Sequence, residues 1–174
     1  KNGRAVYFPE EQVRPMGRAA QGVIGMRLDE GEDDCVVGMV VLREDSIEDL
    51  LVVSEHGYGK RSLPETYRLT RRGAKGVKTL QITDKTGKLV DFRAVTDEED
   101  LMIIKRSGVA IRISLDTISV QGRATQGVKL VDLGDDAIAS VCSVVKDEEE
   151  TETDEYTEID ENGEEPMDLP ENEN

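Results

Sequence analysis

The chain has 174 residues and a formal net charge of −16 at pH 7, which arises from 38 acidic and 22 basic residues. It has two cysteines, and no apolar run approaches the roughly 20 residues that a membrane-spanning helix needs. These features exclude a disulfide-rich scaffold and a membrane-spanning helix, so we predict a cytoplasmic protein without a membrane partner. We expect Cys35 and Cys142 to pack in the core, because both lie in apolar runs.

Short apolar runs rich in β-branched residues follow one another along the chain. They are bounded by Gly, Asp, Asn or Ser, and they cover residues 36–42, 50–53, 89–95, 101–104, 109–115 and 138–145. Runs of this length and composition are typical of β-strands. Tight turns are predicted at residues 84–87 and 107–108, and a short helical turn at residues 63–67. The sequence therefore predicts an all-β fold.

A seven-residue signature recurs three times at nearly constant spacing. The Gly-Val pair that closes it begins at Gly22, Gly76 and Gly127, which are 54 and 51 residues apart. A second glycine precedes each pair by 19 residues, at positions 3, 57 and 108. Such a period predicts blade-like units that bury their apolar faces on one another. We expect units at about residues 1–49, 50–100 and 101–146, and an open edge where the first unit lacks its opening strand.

The acidic charge is concentrated at the end of the chain. Residues 147–174 contain 15 acidic and no basic residues, whereas residues 1–146 contain 23 acidic and 22 basic residues. Because this segment is also poor in apolar residues, we expect residues 147–174 to form a disordered acidic tail. Residues 1–146 are then the folded domain.

The segment between Lys60 and Lys78 carries a strong excess of basic residues. It contains a single acidic residue, Glu65, and seven basic ones: Lys60, Arg61, Arg68, Arg71, Arg72, Lys75 and Lys78. Lysine and arginine contacts to phosphates release counterions and bind DNA without reading its sequence. The segment therefore predicts DNA contact, and the alternative is a solvated basic loop that balances nearby acidic residues.

Arginine also recurs at one position of the signature, at Arg18, Arg72 and Arg123. One arginine per unit would suit a duplex bent around the rim of the repeats, and we include Arg18 and Arg123 among the predicted DNA contacts. The alternative is that this arginine braces the blade. No catalytic or metal-binding constellation is predicted, because His56 lies in a turn without ligand partners at suitable spacing.

The repeats resemble the C-terminal, β-pinwheel domain of bacterial DNA gyrase A. The resemblance covers nearly all of residues 1–146 and rests on three stretches: 13–18 with 22–28, 56–61 with 75–77, and 118–128. They are similar to the last three of the family's six blades, and many members end in an acidic tail. The family's defining heptad has only a degenerate counterpart here, Thr70-Arg71-Arg72-Gly73-Ala74-Lys75-Gly76.

The resemblance implies a partial β-pinwheel that wraps double-stranded DNA for negative supercoiling. It also implies the rest of gyrase A and the gyrase B protein as partners. The ATP and Mg²⁺ would be used by other parts of that assembly, so no cofactor and no catalytic residue are expected in this chain. The alternatives are the C-terminal domain of the equivalent protein of topoisomerase IV and a propeller-like protein-interaction scaffold.

Overall fold

The structure is a computed structural model that describes residues 1–30, 33–43 and 47–146. The predicted acidic tail, residues 147–174, lies outside the described residues. The strands of the described part are β1 (Arg4–Ala5), β2 (Asp49–Ser54), β3 (Tyr58–Ser62), β4 (Val77–Lys78), β5 (Leu89–Val95), β6 (Glu99–Lys105), β7 (Ala110–Ser114), β8 (Val128–Lys129) and β9 (Ile138–Val145). Its helical elements are 3₁₀ helices of three residues each, at Glu10–Gln12, Pro64–Thr66 and Leu115–Thr117. The all-β prediction is confirmed.

The strands form three antiparallel sheets, with the orders β1-β4, β5-β2-β3-β8 and β7-β6-β9. Within a repeat, the hairpin strands β2 and β3 pair with each other, and β5 covers the other edge of β2. The outer edge of β3 pairs with β8, which begins at the last residue of the signature of the next repeat. The β1-β4 ribbon is the same exchange one repeat earlier, so each unit contributes a strand to its neighbour.

The recurring glycines mark positions that only glycine occupies without strain. All six have a positive φ, between 67° and 87°. A Cβ at Gly76 would lie 2.4 Å from the carbonyl oxygen of Ala5, and one at Gly127 would lie 2.5 Å from that of Gly59. The signature therefore closes where its backbone turns left-handed and touches the hairpin strand of the preceding unit.

Two apolar clusters lie between successive units. The larger cluster joins the β5-β2-β3-β8 and β7-β6-β9 sheets and includes Leu51, Val53, Leu101 and Ile103. The smaller cluster, built on Val52, Leu80 and Leu89, lies on the opposite face of β2. Strand β2 is therefore buried on both faces, which explains its uninterrupted apolar sequence.

Two expectations from the sequence are wrong. Residues 36–42 do not form a strand, and Val36, Met39 and Val41 are exposed. In the other units the equivalent strands, β5 and β9, pair with the opening strands β2 and β6. Among the described residues, no strand takes the corresponding place in the first unit, and residues 36–42 pair with none. Cys35 and Cys142 are also exposed rather than buried in the core.

Candidate nucleic-acid interface

Exposed basic side chains cluster around the second signature. Arg68, Arg71 and Lys78 are exposed, and within the described residues no side-chain hydrogen bond or ion pair engages them. Lys75 is paired, since its Nζ lies 2.5 Å from Oδ1 of Asp29, and this hydrogen bond lowers the pKa of that carboxyl group. The side chain of Lys75 is nevertheless 57% exposed, so a phosphate could compete for it.

The β1-β4 ribbon brings further positive charge to this signature. Arg4 lies directly opposite Lys78 in the antiparallel register, and both residues are exposed. Like charges at opposed positions destabilise a strand pair, and a bound anion relieves that repulsion. The exposed residue Arg27 lies alongside, because its backbone N–H donates to the carbonyl of Ala74 at 3.0 Å. We call the cluster formed by Arg4, Arg27, Arg71, Lys75 and Lys78 the basic ribbon.

We call the two strand pairs that are formed between units, β1-β4 and β3-β8, exchange ribbons. The β3-β8 ribbon has the same pairing as the β1-β4 ribbon, but its side chains differ. Lys129 is the repeat equivalent of Lys78, and it lies opposite Tyr58 instead of an arginine. The Nζ of Lys85 lies 5.3 Å from the centre of the Tyr58 ring, within the range of a cation–π contact. Lys129 also pairs with Asp132 at 2.8 Å, and this hydrogen bond raises the pKa of Lys129. Part of its charge is thereby neutralised.

The burial of Lys60 and Arg61 contradicts their prediction as DNA contacts. Lys60 is completely buried, and its Nζ donates to the carbonyl of Gly122 at 2.5 Å. Arg61 is 7% exposed, and it donates to the carbonyl of Ile118 and pairs with Asp49 and Asp97. Lys60 and Arg61 project from β3, and the segment that leads to the third signature packs on this strand. Their hydrogen bonds therefore hold that segment in place.

The recurring arginines divide into two groups. Arg72 and Arg123 are half-buried, and their guanidinium groups donate to backbone carbonyls of the preceding unit. Arg18 is exposed in the first signature, before which this chain holds no complete unit. The predicted set thus separates into exposed side chains (Arg18, Arg68, Arg71, Lys75 and Lys78) and side chains engaged within the protein (Lys60, Arg61, Arg72 and Arg123).

Sequence reasoning missed Arg4, Arg27 and Lys129. The repeat period pointed to Lys129, which follows Lys78 by 51 residues in the same Gly-Val-Lys motif. Arg4 and Arg27 were hidden, because only the pairing of β1 with β4 and of Met26 with Ala74 brings them to the second signature.

The other candidates for chemistry are His56 and groups of potential metal ligands. His56 is an exposed turn residue, and its Nδ1 lies 3.1 Å from the carbonyl oxygen of Asp84. In the described ranges no group of three or more His, Cys, Asp or Glu side chains is arranged to hold a metal ion. No helix there is long and apolar enough to cross a membrane.

Comparisons with known proteins identify the repeats. The family described as "DNA gyrase C-terminal domain, beta-propeller" matches residues 1–42, 48–96 and 99–143. The DNA gyrase A protein of Staphylococcus aureus (strain NCTC 8325 / PS 47) is 49% identical over 150 residues, which are 86% of this chain and 17% of that protein. The gyrase A protein of strain MRSA252 is 47% identical over 159 residues, which are 91% of this chain and 18% of that protein.

Two solved structures are similar to this chain. A DNA gyrase A C-terminal domain superposes with a TM-score of 0.74 at 33% identity, over 83% of this chain and 48% of that one. The C-terminal domain of a DNA topoisomerase IV superposes with the same TM-score at 24% identity, over 83% of this chain and 44% of that one. The second likeness shows the fold alone, and the chain spans less than a fifth of the gyrase A proteins that it matches.

Proposed function

The chain belongs to the DNA gyrase C-terminal domain family, and on that premise we propose that it binds duplex DNA along the basic ribbon and bends it. The observation that carries the proposal is the opposition of Arg4 and Lys78 beside the exposed side chains of Arg71 and Lys75. Asp29 balances part of this positive charge through Lys75, and the phosphates of duplex DNA, which lie in regular array, would balance the rest.

The exchange ribbons explain how contacts could follow a curved duplex. Lys78 and Lys129 occupy equivalent places in the second and third units, whereas the first unit has Ile24 there, so two successive units each offer a lysine. Contacts of this kind bind the backbone, and preference among sequences then comes from how easily the DNA bends. The exposed residues Arg18 and Arg68 would extend the contact to either side of the basic ribbon.

Within a longer gyrase A protein, this bending would present a DNA segment for strand passage and so introduce negative supercoils. The activity would be that of an ATP-dependent type II topoisomerase, in which the rest of gyrase A and the gyrase B protein are the partners. The ATP and Mg²⁺ would be held by those other parts, and the cellular location would be the bacterial cytoplasm. The chain itself would supply the DNA-wrapping surface.

A binding titration at several salt concentrations tests this proposal. The affinity for a short duplex is measured by fluorescence anisotropy for the wild type, Arg71→Ala and Lys78→Ala. Each variant is expected to lower the slope of log affinity against log salt by about one, because each removes one phosphate contact.

The matched control is Lys146→Ala, which removes a partly exposed lysine that pairs with Asp116 and follows β9 in the third unit. Its slope is expected to equal that of the wild type. Unchanged slopes for both Arg71→Ala and Lys78→Ala would overturn the assignment of this surface.

A further inference from the structure

The signature arginine makes the same pair of contacts in both interfaces between units. Arg72 donates from Nε to the carbonyl of Gln12 at 3.2 Å and from Nη1 to that of Ile24 at 2.6 Å. Arg123 donates from Nε to the carbonyl of Thr66 at 3.1 Å and from Nη1 to the carbonyl of Lys78 at 2.6 Å. The same two nitrogens are used each time, so the guanidinium plane has the same orientation relative to the preceding unit.

The acceptors are themselves equivalent positions of the repeat. Gln12 and Thr66 each end a 3₁₀ helix, and these helices are 54 residues apart. Ile24 and Lys78 are also 54 residues apart, and both follow the Gly-Val pair of a signature. One side chain therefore connects its own signature loop to two separate elements of the preceding unit. Its contacts are charge-assisted, and the planar fork of an arginine fixes them in both direction and distance.

From this repeated geometry we infer that the signature arginine is a positioning residue, which sets the angle between successive units and hence the path of the bound DNA. The part that concerns DNA rests on the proposed function, whereas the part that concerns the units does not. In this role Arg72 and Arg123 act through the backbone of their neighbours, and the phosphate contacts come from Arg71 and Lys78.

The two interfaces are expected to depend on their arginine to different degrees. In the interface at Arg123, the residues just before the arginine are also bound by β3. The Nζ of Lys60 donates to the carbonyl of Gly122, and the hydroxyl group of Ser62 donates to that of Gln121. The larger apolar cluster joins these same two units. The interface at Arg72 has the smaller apolar cluster, so loss of Arg72 should disturb the arrangement of units more than loss of Arg123.

The exposed residues Cys35 and Cys142 allow a test that needs no DNA. They lie in the first and third units and are the two cysteines of the chain, so spin labels on both report the distance across two interfaces. Pulsed electron resonance is expected to give a shifted or broader distance distribution for Arg72→Met, and a smaller change for Arg123→Met. The control Arg18→Met, at the signature with no preceding unit here, should match the wild type.

A conservative variant keeps the test decisive if a methionine variant fails to fold. Arg72→Lys keeps the charge but cannot donate to both carbonyls from one planar group, so it should also alter the distance distribution. Distances that are unchanged in both Arg72→Lys and Arg72→Met would overturn the positioning role.

The salt titration then separates positioning from phosphate contact. Arg72→Met is expected to weaken duplex binding without changing the salt slope, whereas Arg71→Met should lower the slope by about one. A slope lowered by about one in Arg72→Met would overturn the inference in favour of direct contact. If the wild type binds no DNA, the proposed function fails, and the distance measurement still decides whether the arginine sets the angle between units.

Discussion

Replacing Lys60 with methionine isolates the effect of a buried amine on stability. Lys60 is completely buried, and its surroundings lower its pKa from 10.5 to about 8, chiefly through burial and secondarily through the charge of Arg123. Methionine has a similar length and no charge. The repeat supports the substitution, because the equivalent positions of the other units hold Val6 and Ile111.

The sign of the pH dependence follows from the direction of that shift. The unfolded chain keeps the proton on Lys60 up to about pH 10.5, whereas the folded chain releases it above about pH 8. Between these values the unfolded state binds more protons, so the free energy of unfolding rises with pH. The free energy of unfolding of the wild type, measured relative to that of Lys60→Met, should therefore rise by about 2 to 3 kcal/mol from pH 7 to pH 10.

Loss of the hydrogen bond to Gly122 adds a cost that depends little on pH. That carbonyl oxygen also accepts hydrogen bonds from the backbone N–H and the hydroxyl group of Thr125, so it keeps partners in the variant. We expect this cost to be about 1 kcal/mol or less. It lowers the free energy of unfolding of the variant by nearly the same amount at every pH.

Urea unfolding monitored by circular dichroism from pH 7 to pH 10 measures the difference. Lys78→Met is the matched control, because it removes an exposed lysine and should leave the pH dependence of the wild type intact. A difference between wild type and Lys60→Met that stays constant over this range would refute the reasoning, since it would mean that the amine titrates alike in both states.

Two further predictions follow from the glycine positions and from the tail. Gly127→Ala should lower the free energy of unfolding by about 1 to 3 kcal/mol, because its φ is 78° and the new Cβ would lie 2.5 Å from the Gly59 carbonyl oxygen. Gly122→Ala has open space around the added Cβ, so an equal loss in urea unfolding would contradict this account. Truncation after Lys146 removes 15 carboxylates and should strengthen DNA binding most at low salt. Equal affinities with and without the tail at every salt concentration would exclude competition by the tail.

The sequence was informative wherever the repeat itself imposed a constraint. The glycines could be predicted because a left-handed turn and close backbone contact recur at Gly76 and Gly127. The strand predicted at residues 36–42 failed because strand formation depends on a partner, and apolar composition alone does not supply one. Secondary structure was thus predictable where the described residues include both members of a strand pair.

The sequence could predict which types of residue form the candidate site, but not which of these side chains are exposed. The seven basic residues of the segment 60–78 indicated the right region, yet Lys60 and Arg61 turn inward. Their orientation depends on the packing of the third signature against β3, a contact between residues about 60 positions apart. Arg4 belongs to the surface for the same reason, because its neighbour Lys78 is distant in sequence.

The central claim is that this chain bends and wraps duplex DNA, and ligation of a nicked DNA circle in its presence tests that claim most directly. Curvature imposed out of the plane of the circle is trapped as a change in linking number, which gel electrophoresis of the closed topoisomers measures. We predict a shift in the topoisomer distribution that grows with protein concentration and is reduced in the Arg71→Ala, Lys78→Ala double variant. A distribution identical to that of protein-free DNA, at concentrations where the duplex is fully bound, would contradict the claim.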